Sequence, residues 1–358
     1  MTTGCSTKGT VATVGVTALS LVIVRVLPPH FLTTWATLGM VAMIPMQMIV
    51  GIMWQSQFPT VIGRFPQPWR GLLYLLLTAV IGSLVAAFAF YQINGGVAPP
   101  APFAIMFLIL TVPTAVWLII GLQGWPFTIW FRPVGAGFAT LSATYLIAYT
   151  MYETLLNFNF LADAPFYKAI LNPGGRFTAW GPSVLGVILS TTLLALTQFE
   201  FWPMTLFPGH SILSRQPCFG LLATVLAGMI TAVTWYTGMV VMRMNWVELL
   251  VQIAVPGSFG IFVLMVTMEG SVFGSIRQPL RGLLLSVVTV AIAMVSYKGY
   301  QSLCVELFGL HQGRPDHAQE LWIASAMLAI TFPMMVFYAN YFQFWPIGSA
   351  FQGASKKG

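Results

Sequence analysis

Gln67-Pro68-Trp69-Arg70-Gly71-Leu72-Leu73, Gln216-Pro217-Cys218-Phe219-Gly220-Leu221-Leu222 and Gln278-Pro279-Leu280-Arg281-Gly282-Leu283-Leu284 are three copies of one word, QPxxGLL, and each opens a long apolar run. A looser copy is Arg132-Pro133-Val134-Gly135. The word has the chemistry of a helix start. Proline at the first helical position has no N–H to leave unpaired and a preset φ. Glycine three residues later admits the backbone of a neighbouring helix.

A second pattern precedes these starts. Thr111-Val112-Pro113 is followed by Trp125-Pro126, and Thr331-Phe332-Pro333 by Trp345-Pro346, at the same spacing. Phe201-Trp202-Pro203 and Phe58-Pro59 read as related exits, and Pro45 and Pro256 stand inside two further runs. Each unit therefore reads as a proline-bent helix, a Trp-Pro exit, a short loop and a QP helix. Recurrence of this kind marks an internally repeated fold. Two helices per unit give every unit the same orientation, unlike the inverted repeats of many secondary transporters.

Ten apolar runs follow, at 10–27, 33–54, 69–92, 102–122, 134–153, 181–200, 217–241, 246–268, 279–300 and 320–343. Most approach the roughly 20 residues a helix needs to cross the hydrocarbon. The short alternating segments of a β-barrel are not seen. Mean hydropathy is +0.84, with 58% hydrophobic and 6% charged residues. A soluble domain carries about 25% charged residues, so the solvent of this chain is lipid. The expected fold is all-α: a polytopic integral membrane protein of about ten transmembrane helices built as repeated hairpins over 1–358. The run at 10–27 lacks a small-residue cleavage site and ends at Arg25 and Pro28-Pro29, so it reads as a retained span.

The net charge of +7 comes from 15 Lys and Arg against 8 Asp and Glu. These cations lie in loops between spans, without a basic, aromatic-interleaved patch, which argues against nucleic acid as a partner. The N-terminus, the loops leading into the QP helices and the C-terminal tail hold nine cations: Lys8, Arg64, Arg70, Arg132, Arg215, Arg277, Arg281, Lys356 and Lys357. The opposite loops hold six, with most of the acids. The positive-inside rule then places both termini in the cytoplasm, in what reads as a bacterial inner membrane.

Ionisable groups are missing from the centres of the spans, which reads against a proton or sodium relay. Glu153, Glu200, Glu248 and Glu269 lie at helix ends, where snorkelling or local pairing explains them. Cys5, Cys218 and Cys304 form neither a CxxC nor an even framework. His30 and His210 lack the paired partner that haem would need. His311, Asp316, His317 and Glu320 share one outer loop and could hold a metal or simply cap a helix.

Three sets remain as candidates. Met40, Met43 and Met46 recur at helical spacing and could offer thioethers to Cu(I), or serve as apolar filler. Pro45, Pro113, Pro256 and Pro333 each free a carbonyl inside a span and mark a pore or a static kink. Arg64, Arg70, Arg132, Arg215, Arg277 and Arg281 crowd helix N-termini, where the macrodipole disfavours them, so they read as contacts to anionic lipid or to a partner. Without a His cluster, a carboxylate pair or a nucleophile beside a base, an enzyme is the weakest reading. The reading that leads is a permease or channel-like carrier for a small neutral or softly coordinating solute. The alternative is an integral non-catalytic or quinone-facing subunit of a larger membrane complex.

Overall fold

The computed structural model describes residues 2–207, 209, 211–313 and 317–347, with side chains from Thr7 onward. His210, Arg314, Asp316, Lys356, Lys357 and the Cys5 side chain fall outside the described residues. Among the described residues the chain is all-α apart from one two-residue parallel pairing, Leu156 and Asn157 with Phe177 and Thr178. Among the described residues ten helices are long and apolar enough to cross a membrane: α1 Thr7–Val26, α2 Pro29–Met53, α3 Trp69–Ile93, α4 Pro102–Gly121, α5 Pro133–Leu155, α6 Trp180–Gln198, α7 Cys218–Val241, α8 Trp246–Thr267, α9 Leu280–Phe308 and α10 Ala318–Tyr341.

The boundaries follow the apolar runs with one clear departure. The run at 279–300 stops at Lys298 and Gln301, yet α9 continues to Phe308. A polar side chain does not end a helix. Gly309 does, in the left-handed region at φ 60°, with its N–H on the Val305 carbonyl. The gap between the apolar runs that end at 300 and begin at 320 is correspondingly shorter.

The helices sort into two classes by burial. In α2, α4, α6, α8 and α10, 50–72% of the central window is buried, against 22–33% in α1, α3, α5, α7 and α9. The even helices touch in the order 2–4–6–8–10–2, which closes a ring. Each odd helix lies outside, in a groove between two ring members: α3 on α2 and α10, α5 on α4 and α2, α7 on α6 and α4, α9 on α8 and α6, α1 on α10 and α8. The outer helices expose large apolar side chains such as Leu76, Leu84, Val233 and Val287, as a lipid-facing layer requires.

All five ring helices end in one way. The residue after each helix is Trp54, Leu122, Phe199, Met268 or Phe342. Two residues in the left-handed region follow: Gln55-Ser56, Gln123-Gly124, Glu200-Phe201, Glu269-Gly270 and Gln343-Phe344. The N–H of the second turns back to a carbonyl inside the helix, as in Ser56 to Val50 at 2.9 Å and Phe344 to Tyr338 at 3.1 Å. This satisfies C-terminal carbonyls that lipid could not. Non-glycine residues resist this region at about 1–2 kcal/mol each, so the surrounding packing holds the turn. Four of the ring helices, all but α6, widen into a π-helical last turn before it.

The QP words lock the outer helices onto these ends. Gln278 Nε2 donates to the Gln198 carbonyl at 3.0 Å, and its Oε1 accepts from the Gly282 N–H at 3.1 Å. Gln216 joins the Gly121 carbonyl to the Gly220 N–H, and Gln67 the Tyr341 carbonyl to the Gly71 N–H. Each glutamine so serves one orphan carbonyl at a helix end and one orphan N–H at a helix start. The glycine lets the two meet. A Cβ on Gly282 would stand 2.3 Å from the Phe199 ring, on Gly71 2.6 Å from Phe342, and on Gly220 2.6 Å from Leu122.

The two remaining junctions reach the same contact by other chemistry. In the looser copy, Gly135 touches only Phe131. It is Gly137 that meets Trp54, whose Nε1 donates to the Pro133 carbonyl at 2.8 Å. On α1, Gly9 meets Thr267 and Met268. Deeper in the bilayer, hydroxyl and indole bonds tie the same pairs: Thr13 to Thr267, Thr78 to Tyr341, Trp117 to Thr224 and Gln198 to Thr289, at 2.6–2.9 Å. Lipid supplies no hydrophobic drive between helices, so close packing and such bonds, about 0.6 kcal/mol each on average, must hold the two layers.

Candidate functional site

The ring encloses a cavity of about 140 Å³ on its axis, lined by side chains from all five even helices. None of the lining residues is charged. Sixteen are apolar, and five are polar: Gln47, Ser190, Thr197, Ser258 and Asn340. Thr197 and Asn340 lie two residues before the helix-end residues Phe199 and Phe342, near the ends of their helices. Gln47, Ser190 and Ser258 lie seven, nine and ten residues before Trp54, Phe199 and Met268. At 1.5 Å per residue that is about 10–15 Å inward, near the middle of a core about 30 Å thick.

The hydrogens of the hydroxyls in this belt are already committed. Ser190 Oγ donates to the Val187 carbonyl at 2.8 Å, and Thr197 to Leu194 at 2.6 Å. Thr191 donates to Val187 at 2.9 Å, which leaves Ser258 Oγ to donate to Thr191 at 2.7 Å. These oxygens keep free lone pairs. Gln47 differs. It is 2% exposed, and its Nε2 has no hydrogen-bond partner. Nearer the helix ends, Gly51 on α2 makes room for the Asn340 amide, since a Cβ there would stand 2.4 Å from Asn340 Nδ2.

The prolines set the shape of this lining without forming it. Pro45, Pro113 and Pro333 share one register, nine residues before Trp54, Leu122 and Phe342. All four prolines, Pro256 included, are buried, and none lines the cavity. The residues just before three of them do: Ile44, Val112 and Phe332. Val41 and Ile109, four residues before Pro45 and Pro113, also line it. Their carbonyls lose the donor a proline cannot supply. Pro256 and Pro333 each follow a π-helical turn, Leu250–Ala254 and Ala326–Thr331, where an inserted residue relieves the ladder around the ring.

The methionines are divided. Met48 and Met265 line the cavity. Met40, Met43 and Met46 do not: Met43 packs on Gly82 of α3, Met46 is fully buried beside the ring, and Met40 packs among apolar side chains of the α2–α4 core. Among the described residues, no group of three His, Cys, Asp or Glu side chains could hold a metal. At the far end Glu320 is buried, accepting from the Gly313 N–H at 2.9 Å with His317 Nδ1 at 3.6 Å, while His311 is exposed.

The arginines separate likewise. Arg64, Arg132, Arg215 and Arg277 are exposed on the side where the ring helices end. Arg70 and Arg281 are half-buried and engaged within the chain. Arg281 donates to Glu200 and the Gly270 carbonyl, and Arg70 donates to Gln343. Lys8 pairs with Glu269 at 3.4 Å in the corresponding place on α1. Each of these cations immediately precedes a junction glycine and engages the first left-handed residue of a ring-helix end, Arg281 reaching the Gly270 carbonyl as well. The sequence alone offers snorkelling or local pairing for Glu200 and Glu269, without their partners, and does not single out Gln343. The signal was there: Gln123, Glu200 and Gln343 all stand two residues before a Trp-Pro.

No protein-family model, curated protein or solved structure matches the chain.

Proposed function

We propose that the chain is a channel-like carrier for a small uncharged solute, built as five same-facing hairpin units with the ring-helix ends toward the cytoplasm. The observation that carries this reading is the axial cavity, to which every ring helix contributes and whose lining has no charge. Moving a bare ion into such surroundings costs several kcal/mol even after relaxation, and no lining carboxylate or cation offsets that. A neutral molecule does not meet this penalty.

The test is osmotic swelling of proteoliposomes holding the purified chain, with glycerol and urea as solutes and sodium and chloride as ionic controls. Val336 lines the cavity and is 8% exposed, so Val336→Trp fills the path. Neutral-solute flux above protein-free vesicles, lost in Val336→Trp, supports the carrier. Equal rates with and without protein for every solute, together with stable co-purification of other subunits, refute it in favour of a subunit of a larger complex. The exposed Ile129, Trp130 and Phe131 beside the end of α4 would be the first place to look for such a subunit's contact.

A further inference from the structure

Two amides line the cavity, those of Gln47 and Asn340; that of Gln47 is the buried one, and its nitrogen has no hydrogen-bond partner. A buried donor without a partner costs about 1–3 kcal/mol. A water molecule there would need two to four polar partners, and apolar side chains surround most of the space. A ligand that brings an acceptor on an apolar body meets the site better. Across the axis, Ser190 and Ser258 have spent their hydrogens on Val187 and Thr191 and retain acceptor lone pairs. The belt thus offers the Gln47 amide, which both donates and accepts, and two hydroxyl acceptors at similar depth, between walls of Val, Ile, Leu and Phe.

Size narrows the class. The cavity of about 140 Å³ is close to the roughly 150 Å³ apolar cavity that holds benzene. We infer that the axial cavity is a binding site for an uncharged molecule of about six to eight non-hydrogen atoms bearing a single hydroxyl on an apolar body, with Gln47 donating to its oxygen and Ser190 or Ser258 accepting its hydrogen. The uncharged lining disfavours an ion, and a lining of sixteen apolar and five polar residues disfavours a sugar, whose several hydroxyls need more partners than these supply. This inference rests on the same cavity as the carrier reading. It requires only occupancy, not passage.

The experiment compares phenol with toluene, equal in heavy atoms and differing in one hydroxyl. Each is titrated against the full chain in lipid nanodiscs, with protein-free nanodiscs as the baseline. In the wild type both bind above baseline. In Gln47→Met, close in length but without the amide, phenol weakens about tenfold, the value of one hydrogen bond near 1.4 kcal/mol, while toluene changes less than twofold. Equal weakening of both probes, no weakening of either, or no binding to the wild type would overturn the inference. Should Gln47→Met fail to fold, Ser258→Ala carries the same comparison, since Thr191 keeps its bond to Val187. Phenol binding without solute flux would sink the carrier and leave this site standing. Flux without phenol binding would do the reverse.

Discussion

Replacing Gln278 with leucine keeps the side chain's bulk and removes both hydrogen bonds that join the end of α6 to the start of α9. Each such bond contributes a net 0.5–1.5 kcal/mol or so in general, and about 0.6 kcal/mol on average between membrane helices. Both groups left behind, the Gln198 carbonyl and the Gly282 N–H, lie in a half-buried junction. Water reaches part of that junction, which trims the penalty. The expected loss is therefore about 1–2 kcal/mol for Gln278→Leu. Gln67 and Gln216 hold separate junctions in the same way, and distant sites add. The triple replacement should then lose about 3–6 kcal/mol, a large part of a typical total. Reversible unfolding in bicelles, read by steric trapping, measures this. Gln92→Leu is the control, because Gln92 is exposed near the end of α3 and should change stability by less than about 0.5 kcal/mol. A Gln278→Leu protein no less stable than the Gln92→Leu control would refute the claim that the QP glutamines hold the two layers together.

Gly9→Ala and Gly220→Ala push a Cβ against backbone, 2.5 Å from the Thr267 oxygen and 2.7 Å from the Gly121 oxygen, and should each lose about 1–3 kcal/mol in the same assay. Gly15→Ala and Gly228→Ala meet nothing within 4 Å and should instead gain about 0.5–1 kcal/mol. Trp54→Phe keeps the aromatic packing on Gly137 but drops the bond to the Pro133 carbonyl, for an expected loss near 1 kcal/mol. Orientation is read by labelling in a background freed of its own cysteines. An impermeant maleimide added outside intact cells should modify Ile170→Cys and should reach Arg64→Cys only after permeabilisation, and the reverse pattern would invert the topology.

The ten helices were legible because each needs about 20 apolar residues whatever its neighbours are, and 6% charge leaves few places for loops. The end of α9 was not, since Lys298 and Gln301 look like a boundary while the stop lies in the backbone of Gly309. Gly71, Gly220 and Gly282 could be read as sites of close approach. That Gly137 rather than Gly135 does this on α5 depends on where Trp54 sits, and no local pattern carries that. The cavity was hidden for a related reason. Gln47 is an ordinary polar residue within a Met-rich run, and only the closing of five helices leaves its amide facing an empty axis. The methionines drew attention as a type, whereas position decides that Met48 and Met265 line the cavity and Met43 faces outward toward α3.

Helix α1 completes the outer layer from the wrong end of the chain. Its groove lies between α8 and α10, and neither exists when α1 leaves the ribosome. At about 5–20 residues per second, the stretch from Val26 to Tyr341, the end of α10, takes roughly 15–65 s to synthesise. For that interval α1 has no groove to occupy, and Gly9, Thr13 and Lys8 face lipid or a temporary guest. Biogenesis of this protein thus contains a built-in waiting period, and any factor that shelters unpaired helices at the insertion machinery would have α1 as its natural client.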